Sequence, residues 1–292
     1  MLHEKSTKLI QKVSIKNQKL NLYSIGNAIY RNDIRILNDQ LFGEKNDSRI
    51  KTFLTNTHSV AVSINGTACS YKTTFINNCI SEIKNQIDPN AQILKIGKMG
   101  KFKGKDSNQV LAMNYQYMIS SLVHVYYTSL FDRCKFNNLI WRIILACMDT
   151  TKDPVLVALD KFLDFTPYII NQMKKEPIII FIDLNKIENR KRMHIRSTGS
   201  DKIRSTIENY VSAQNIVYGV LAYMCDWPIF EADLDLHPEI TKIIIKKVKT
   251  NVSAYGEKLP PRCEIPDHEL CFSKNIDYDK TFDHSKYLEI FK

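Results

Sequence analysis

Apolar residues along this chain fall into two alternating rhythms: short unbroken runs, and longer stretches with apolar positions three and four apart. The first is the mark of buried strands and the second of helices packed on them. From Ser59 the order is a run, "SVAVSI" (59–64), a tight loop, and a helical stretch, "TTFINNCISEIKNQI" (73–87). "QILKIGKM" (92–99) reads as a second strand, a charged loop follows, and "QVLAMNYQYMISSLVHVYY" (109–127) has helical spacing. "SLFDRCKF" (129–136) is a short strand ahead of the helix "NNLIWRIILACMD", and "PVLVALDKFLDFTPYIINQMKK" (154–175) is a further helical run. "PIIIFIDL" (177–184) is the clearest strand, and its continuous β-branched run predicts burial on both faces. A charged segment, "NKIENRKRMHIRSTGSDKIRS", leads to the helix "TIENYVSAQNIVYGVLAYMCDW", the strand "PIFEADL" (228–234) and a final helix, "HPEITKIIIKKVKTNV". Strands alternating with helices predict an α/β fold around a parallel sheet. The domain reading is a basic appendage over 1–57, one domain over 58–252, and a tail over 253–292 that holds Pro260, Pro261 and Pro266.

Composition narrows the class. The hydrophobic share of 44% suits a globular chain, and no segment approaches the roughly 20 apolar residues of a membrane helix. The polar start lacks the apolar core of a secretory signal, so the expected location is cytoplasm or nucleus. Seven cysteines without a C-x-x-C pair indicate neither a zinc site nor a disulfide framework. A formal charge of +10 favours polyanionic partners: nucleotides, nucleic acid or an acidic protein surface. No motif singles out nucleic acid among these.

The loop after the first strand is where chemistry enters. A phosphate loop has the pattern G-x-x-x-x-G-K-[ST], in which backbone N–H groups wrap the phosphates, the lysine reaches the terminal ones and the hydroxyl binds Mg²⁺. Gly66, Lys72 and Thr73 fall at that spacing, and Tyr71 occupies the place of the second glycine. The loop also opens a helix, whose N-terminus favours phosphate. The same residues also fit a strand–helix turn with a solvated lysine. Asp132 and Arg133 end a buried strand, where an open α/β sheet binds its ligands. An aspartate there can hold Mg²⁺ and an arginine can neutralise a transferring phosphoryl group. Arg190, Arg192 and Arg196 follow the strongest strand, and on a helix Arg192 and Arg196 share a face that can close over a nucleotide. Taken alone, such a basic run is more often a solvated helix face. Gln109, Asn114 and Gln116 carry both donors and acceptors, as reading a base edge requires.

The succession "NGTACSYKTT", "FDRCKFNN", "FIDLNKIENRKRMHIR" resembles the deoxynucleoside kinase and thymidylate kinase group of P-loop phosphotransferases, including divergent thymidine-kinase-like proteins of large DNA viruses. The resemblance covers about residues 59–250. It implies a P-loop NTPase-type three-layer fold with a five-stranded parallel sheet, and ATP and Mg²⁺ as cofactors. It also implies a phosphate loop of Gly66, Thr67, Ala68, Cys69, Ser70, Tyr71, Lys72, Thr73 and Thr74, with Lys72 on the phosphates and Thr73 near the metal. Asp132 and Arg133 would serve the metal and the acceptor, and Arg190, Arg192 and Arg196 the lid. Two departures stand out: Tyr71, and a second-strand end, "KIGKMGKFKG", that has lysines and no acid. The expected activity is phosphoryl transfer to a deoxynucleoside or its monophosphate, of thymidine-like pyrimidine type, in a chain able to form a homodimer. The alternative is a kinase-fold protein without catalysis, kept for a structural or interaction role in a host cell or a virion.

Overall fold

The computed structural model describes residues 19–56, 62–87, 89, 91–95, 129–134, 136–148, 151–163, 165, 167–197 and 201–255. Strands β1 (Val62–Gly66), β2 (Gln92–Lys95), β3 (Ser129–Asp132), β4 (Ile178–Ile182) and β5 (Ile229–Glu231) lie side by side in the order β2-β3-β1-β4-β5. Every pairing is parallel, with Ile64 opposite Asp132 on one side of β1 and opposite Ile179 on the other. Parallel neighbours need crossover connections, and among the described residues helices supply them. A helix across residues 19–31 (α1), Ile34–Gln40 (α2) and Gly43–Thr55 (α3) precede β1, and Lys72–Gln86 (α4) follows it. Asn137–Cys147 (α5), Pro154–Leu163 (α6) and Pro167–Lys174 (α7) lie between β3 and β4. Lys186–Arg196 (α8), Asp201–Arg204 (α9) and Tyr210–Cys225 (α10) separate β4 from β5, and His237–Tyr255 (α11) comes last.

β4 shows why this is a sheet with helices on both faces. Side chains alternate along a strand, so Ile179 and Phe181 enter one core with Phe75, Ile76 and Ile244, while Ile178, Ile180 and Ile182 enter another with Ile29, Val217 and Trp227. All five residues of β4 are buried, as its continuous apolar run predicts. The strand sits inside the sheet, between β1 and β5.

Several boundaries differ from the sequence expectation. The helical run 154–175 is two helices, because Pro167 lacks the N–H a helix interior needs and is accepted only in a first turn. β3 stops at Asp132, where Arg133 turns to φ 92°, so "SLFDRCKF" is strand over half its length. The charged segment after β4 is a helix, capped at its start by the Asn185 side chain accepting from Glu188 N and ended by Ser197 at φ 45°. Residues 59–61 of "SVAVSI" and the segment beyond Tyr255 lie outside the described residues.

Residues 19–56 pack into the same core as the sheet: Leu22, Ile25, Ile29, Leu37 and Leu41 are all buried there. Asn46 goes further and lies against β5. Its Nδ2 donates to Ile229 O at 2.8 Å and its Oδ1 accepts from Ile229 N at 2.9 Å, so one side-chain amide covers the open edge of that strand.

Candidate functional site

β1 ends in a residue that only glycine fits. Gly66 has φ 133°, and a Cβ there would lie 1.9 Å from Phe181 O of β4. The chain then turns through Thr67, Ala68, Cys69, Ser70 and Tyr71 into α4. Cys69 and Tyr71 are both left-handed, at φ 53° and 57°. Tyr71 therefore keeps the conformation that glycine would take in the phosphate-loop pattern. It is also the residue before the first turn of α4, where helix N–H groups have no partner within the helix. The N–H groups of Cys69, Ser70 and Tyr71 donate to no acceptor among the described residues.

Lys72 and Thr73 follow. Lys72 is buried, and its Nζ donates to Thr67 O and, at 3.0 Å, to Ser70 Oγ, so the ammonium folds back over the loop that carries it. Burial pushes its pKa down to about 7; the charge of Arg133 acts in the same direction and that of Asp132 against it. Thr73 Oγ1 donates to Asp132 Oδ2 at 3.1 Å. Loop and strand end thus meet because β1 and β3 are neighbours, with Asp132 at the end of β3 opposite Ile64 near the end of β1. Arg133 stands beside them, its guanidinium carbon 5.7 Å from the Trp141 ring centre and its Nη1 buried without a hydrogen-bond partner among the described residues. Thr74 is exposed.

The arginines of α8 are arranged differently from a row of free cations. Arg192 pairs with the buried carboxylate of Asp183, donates from Nε to Cys69 O at 3.3 Å, and lies over the Tyr71 ring with its guanidinium carbon 5.0 Å from the centre. Arg196 donates from Nε to Asp201 Oδ2 at 2.7 Å, and Arg190 from Nε to Ser205 O at 2.8 Å. The structure brings Lys72, Thr73, Asp132 and Arg133 together, and adds Arg192 to the loop. Arg190 and Arg196 are directed to the segment 201–205. Gln109, Asn114 and Gln116, and the second-strand end after Lys95, lie outside the described residues.

Four residues that the sequence reading passes over hold the loop from behind. Asn215 Oδ1 accepts from Thr67 Oγ1 at 2.6 Å and from Asp183 N at 3.1 Å, while its Nδ2 donates to Asp183 O at 2.6 Å. Gln214 Oε1 accepts from Ala68 N at 2.9 Å. Asn189 Nδ2 donates to Ala68 O at 2.8 Å and to Asp183 Oδ2 at 2.7 Å. Burial raises the pKa of Asp183, and the donors Asn189 and Arg192 oppose that. A signal for them exists: Gln214 and Asn215 are amides in a helix that is mostly apolar and buried, and buried amides must find partners. Asp183 directly follows β4, as Asp132 closes β3.

Among the described residues no group of three or more His, Cys, Asp and Glu could hold a metal ion. Thr73 Oγ1 and Asp132 Oδ2 are hard oxygen donors of the kind that Mg²⁺ takes, and Mg²⁺ takes few ligands from protein. No helix among the described residues is long and apolar enough to cross a membrane. No protein-family model matches the chain, and neither a curated protein nor a solved structure matches it.

Proposed function

We propose that this chain is a P-loop phosphotransferase that moves the γ-phosphoryl group of ATP, with Mg²⁺, to a deoxynucleoside or its 5′-monophosphate, of thymidine-like pyrimidine type. The observation that carries the reading is the contact of Thr73 Oγ1 with Asp132 Oδ2 at 3.1 Å, beside a buried Lys72 and a loop with free N–H groups. A hydroxyl, a carboxylate and an ammonium from two adjacent strand ends are the set that a nucleoside triphosphate and its metal require. The order of the strands and the resemblance of the three motifs support it. Thr73 and Asp132 would hold Mg²⁺, which neutralises charge on the phosphate oxygens. Lys72 leaves Thr67 O and Ser70 Oγ for the phosphates, the loop N–H groups bind them, and Arg133 faces the acceptor.

One observation favours a second reading, a kinase-fold protein with a structural or interaction role. Arg190, Arg192 and Arg196 all have protein acceptors, so the α8 cations are engaged without a nucleotide. Transfer of label from γ-labelled ATP to thymidine, deoxycytidine and their 5′-monophosphates separates the two. Labelled product from wild type, lost in Lys72→Ala and Asp132→Asn, is expected. A folded wild type that labels none of the four acceptors overturns the first reading in favour of the second.

A further inference from the structure

Cys69 and Tyr71 are left-handed without being glycine, and a Cβ in that conformation crowds the following carbonyl. Such residues persist only where the surroundings over-determine them. One side chain touches both. Arg192 Nε donates to Cys69 O at 3.3 Å, and the same guanidinium lies 5.0 Å from the Tyr71 ring centre. Its Nη2 is tied to Asp183, which is 3% exposed and is itself held by Asn189 Nδ2 at 2.7 Å and Asn185 N at 3.2 Å. The guanidinium is thus committed on three sides to the loop and its support.

We propose that Arg192, anchored on Asp183, is a positioning residue that does for this loop what the missing second glycine does in the phosphate-loop pattern. It clamps the Tyr71 ring and the Cys69 carbonyl, and so keeps both residues left-handed and the loop N–H groups turned to the site. Tyr71 and Arg192 form one device: the ring supplies the surface and the arginine the hold. A lysine cannot replace the arginine, because a point charge has neither the planar face nor the fork that reaches ring, carbonyl and carboxylate together. The use of the device rests on the phosphate-loop reading above, whereas its existence does not.

Amide hydrogen exchange of Thr67 and Ala68, the loop residues whose N–H groups donate to Phe181 O and Gln214 Oε1, tests it in the unliganded full chain, with Arg192→Ala, Arg192→Lys, Tyr71→Gly and the double variant Tyr71→Gly/Arg192→Ala. Arg192→Ala is expected to speed loop exchange by about tenfold in the wild-type loop and by less than about twofold in the Tyr71→Gly loop, with Arg192→Lys resembling Arg192→Ala. If Arg192→Ala loses its fold, Asp183→Asn, which removes the anchor and keeps an acceptor, takes its place with the same expectation. Equal acceleration in both loops, none in either, or full rescue by lysine overturns the proposal. ATP titrations of the same proteins keep the two readings apart. Coupled exchange in a protein that binds no ATP upholds the clamp and removes the nucleotide reading. An ATP affinity that falls equally on loss of Arg192 in both loops assigns the arginine to phosphate and overturns the clamp.

Discussion

Gly66 and Tyr71 both stand at positive φ, for different reasons. Gly66 is forced by a neighbour: its missing Cβ is the space Phe181 O occupies. Gly66→Ala must therefore part β1 from β4, and urea unfolding is expected to show a loss of at least about 2 kcal/mol. Tyr71 is held by contact instead. Replacing it with glycine removes about 1–2 kcal/mol of left-handed strain and forfeits a cation–π contact of about 0.5–1 kcal/mol. Tyr71→Gly should then lie within about 1 kcal/mol of wild type, with Tyr71→Ala, which keeps the strain and loses the ring, below it by about 1 kcal/mol. Equal stability of the two variants would contradict the strain at residue 71. Lys72 carries the pH dependence. Its folded pKa of about 7 lies below the ordinary 10.5, so between those values the unfolded chain holds a proton that the folded chain lacks. Its burial penalty is fully present below about pH 7 and fades as pH rises through that window; Lys72→Met flattens the rise. A polyphosphate beside Lys72 reverses the shift, so ATP binding at pH 8 should take up close to one proton, read by calorimetry in buffers of different ionisation enthalpy.

The loop is only as good as the elements behind it. α10 crosses under the site with Gln214 and Asn215 aimed at it, and Asn215 alone serves Thr67 Oγ1, Asp183 N and Asp183 O. Asn215→Leu orphans all three in a dry interior and is expected to cost about 2–3 kcal/mol in urea unfolding, with loop exchange rising in step. A loss below about 0.5 kcal/mol would mean that the brace is dispensable. How far these elements are legible in the sequence varies with their physics. β4 is plain because burial on both faces leaves an unbroken apolar run, and the loop is plain because Gly66, Lys72 and Thr73 are tied to fixed spacings. Asp132 is legible from the rule that ligands bind at strand ends, and the same rule applied to β4 would have found Asp183. The α8 partners are hidden, since the pairing of Arg192 with Asp183 and of Arg196 with Asp201 depends on how helices return to the sheet. The helices of residues 19–55 are hidden too: their buried residues are shared among three short helices, so no single period runs long enough to show.

Seen whole, the molecule does not divide at residue 57 by packing. Leu22, Ile25, Ile29, Leu37 and Leu41 fill one core, Phe53 the other, and Asn46 closes the β5 edge. Removing residues 1–56 exposes that surface at about 25 cal/mol per Å² and uncovers the outer edge of β5, so the remainder is expected to lose cooperative thermal unfolding. A sharp transition from residues 57–292 alone would show instead that the sheet stands by itself. The charge of +10 gives the whole surface a pull towards polyanions, which is why binding must be tested for its dependence on the loop as well as for its strength. The most direct measurement is calorimetric titration of the full chain with ATP and Mg²⁺, in wild type and in Lys72→Ala. Saturable binding at one site, weakened about 100-fold by the substitution, is the expected result. A folded wild type that gives no heat at millimolar ATP, or a Lys72→Ala protein that binds as tightly as wild type, would contradict the assignment of residues 66–74 as a working phosphate loop.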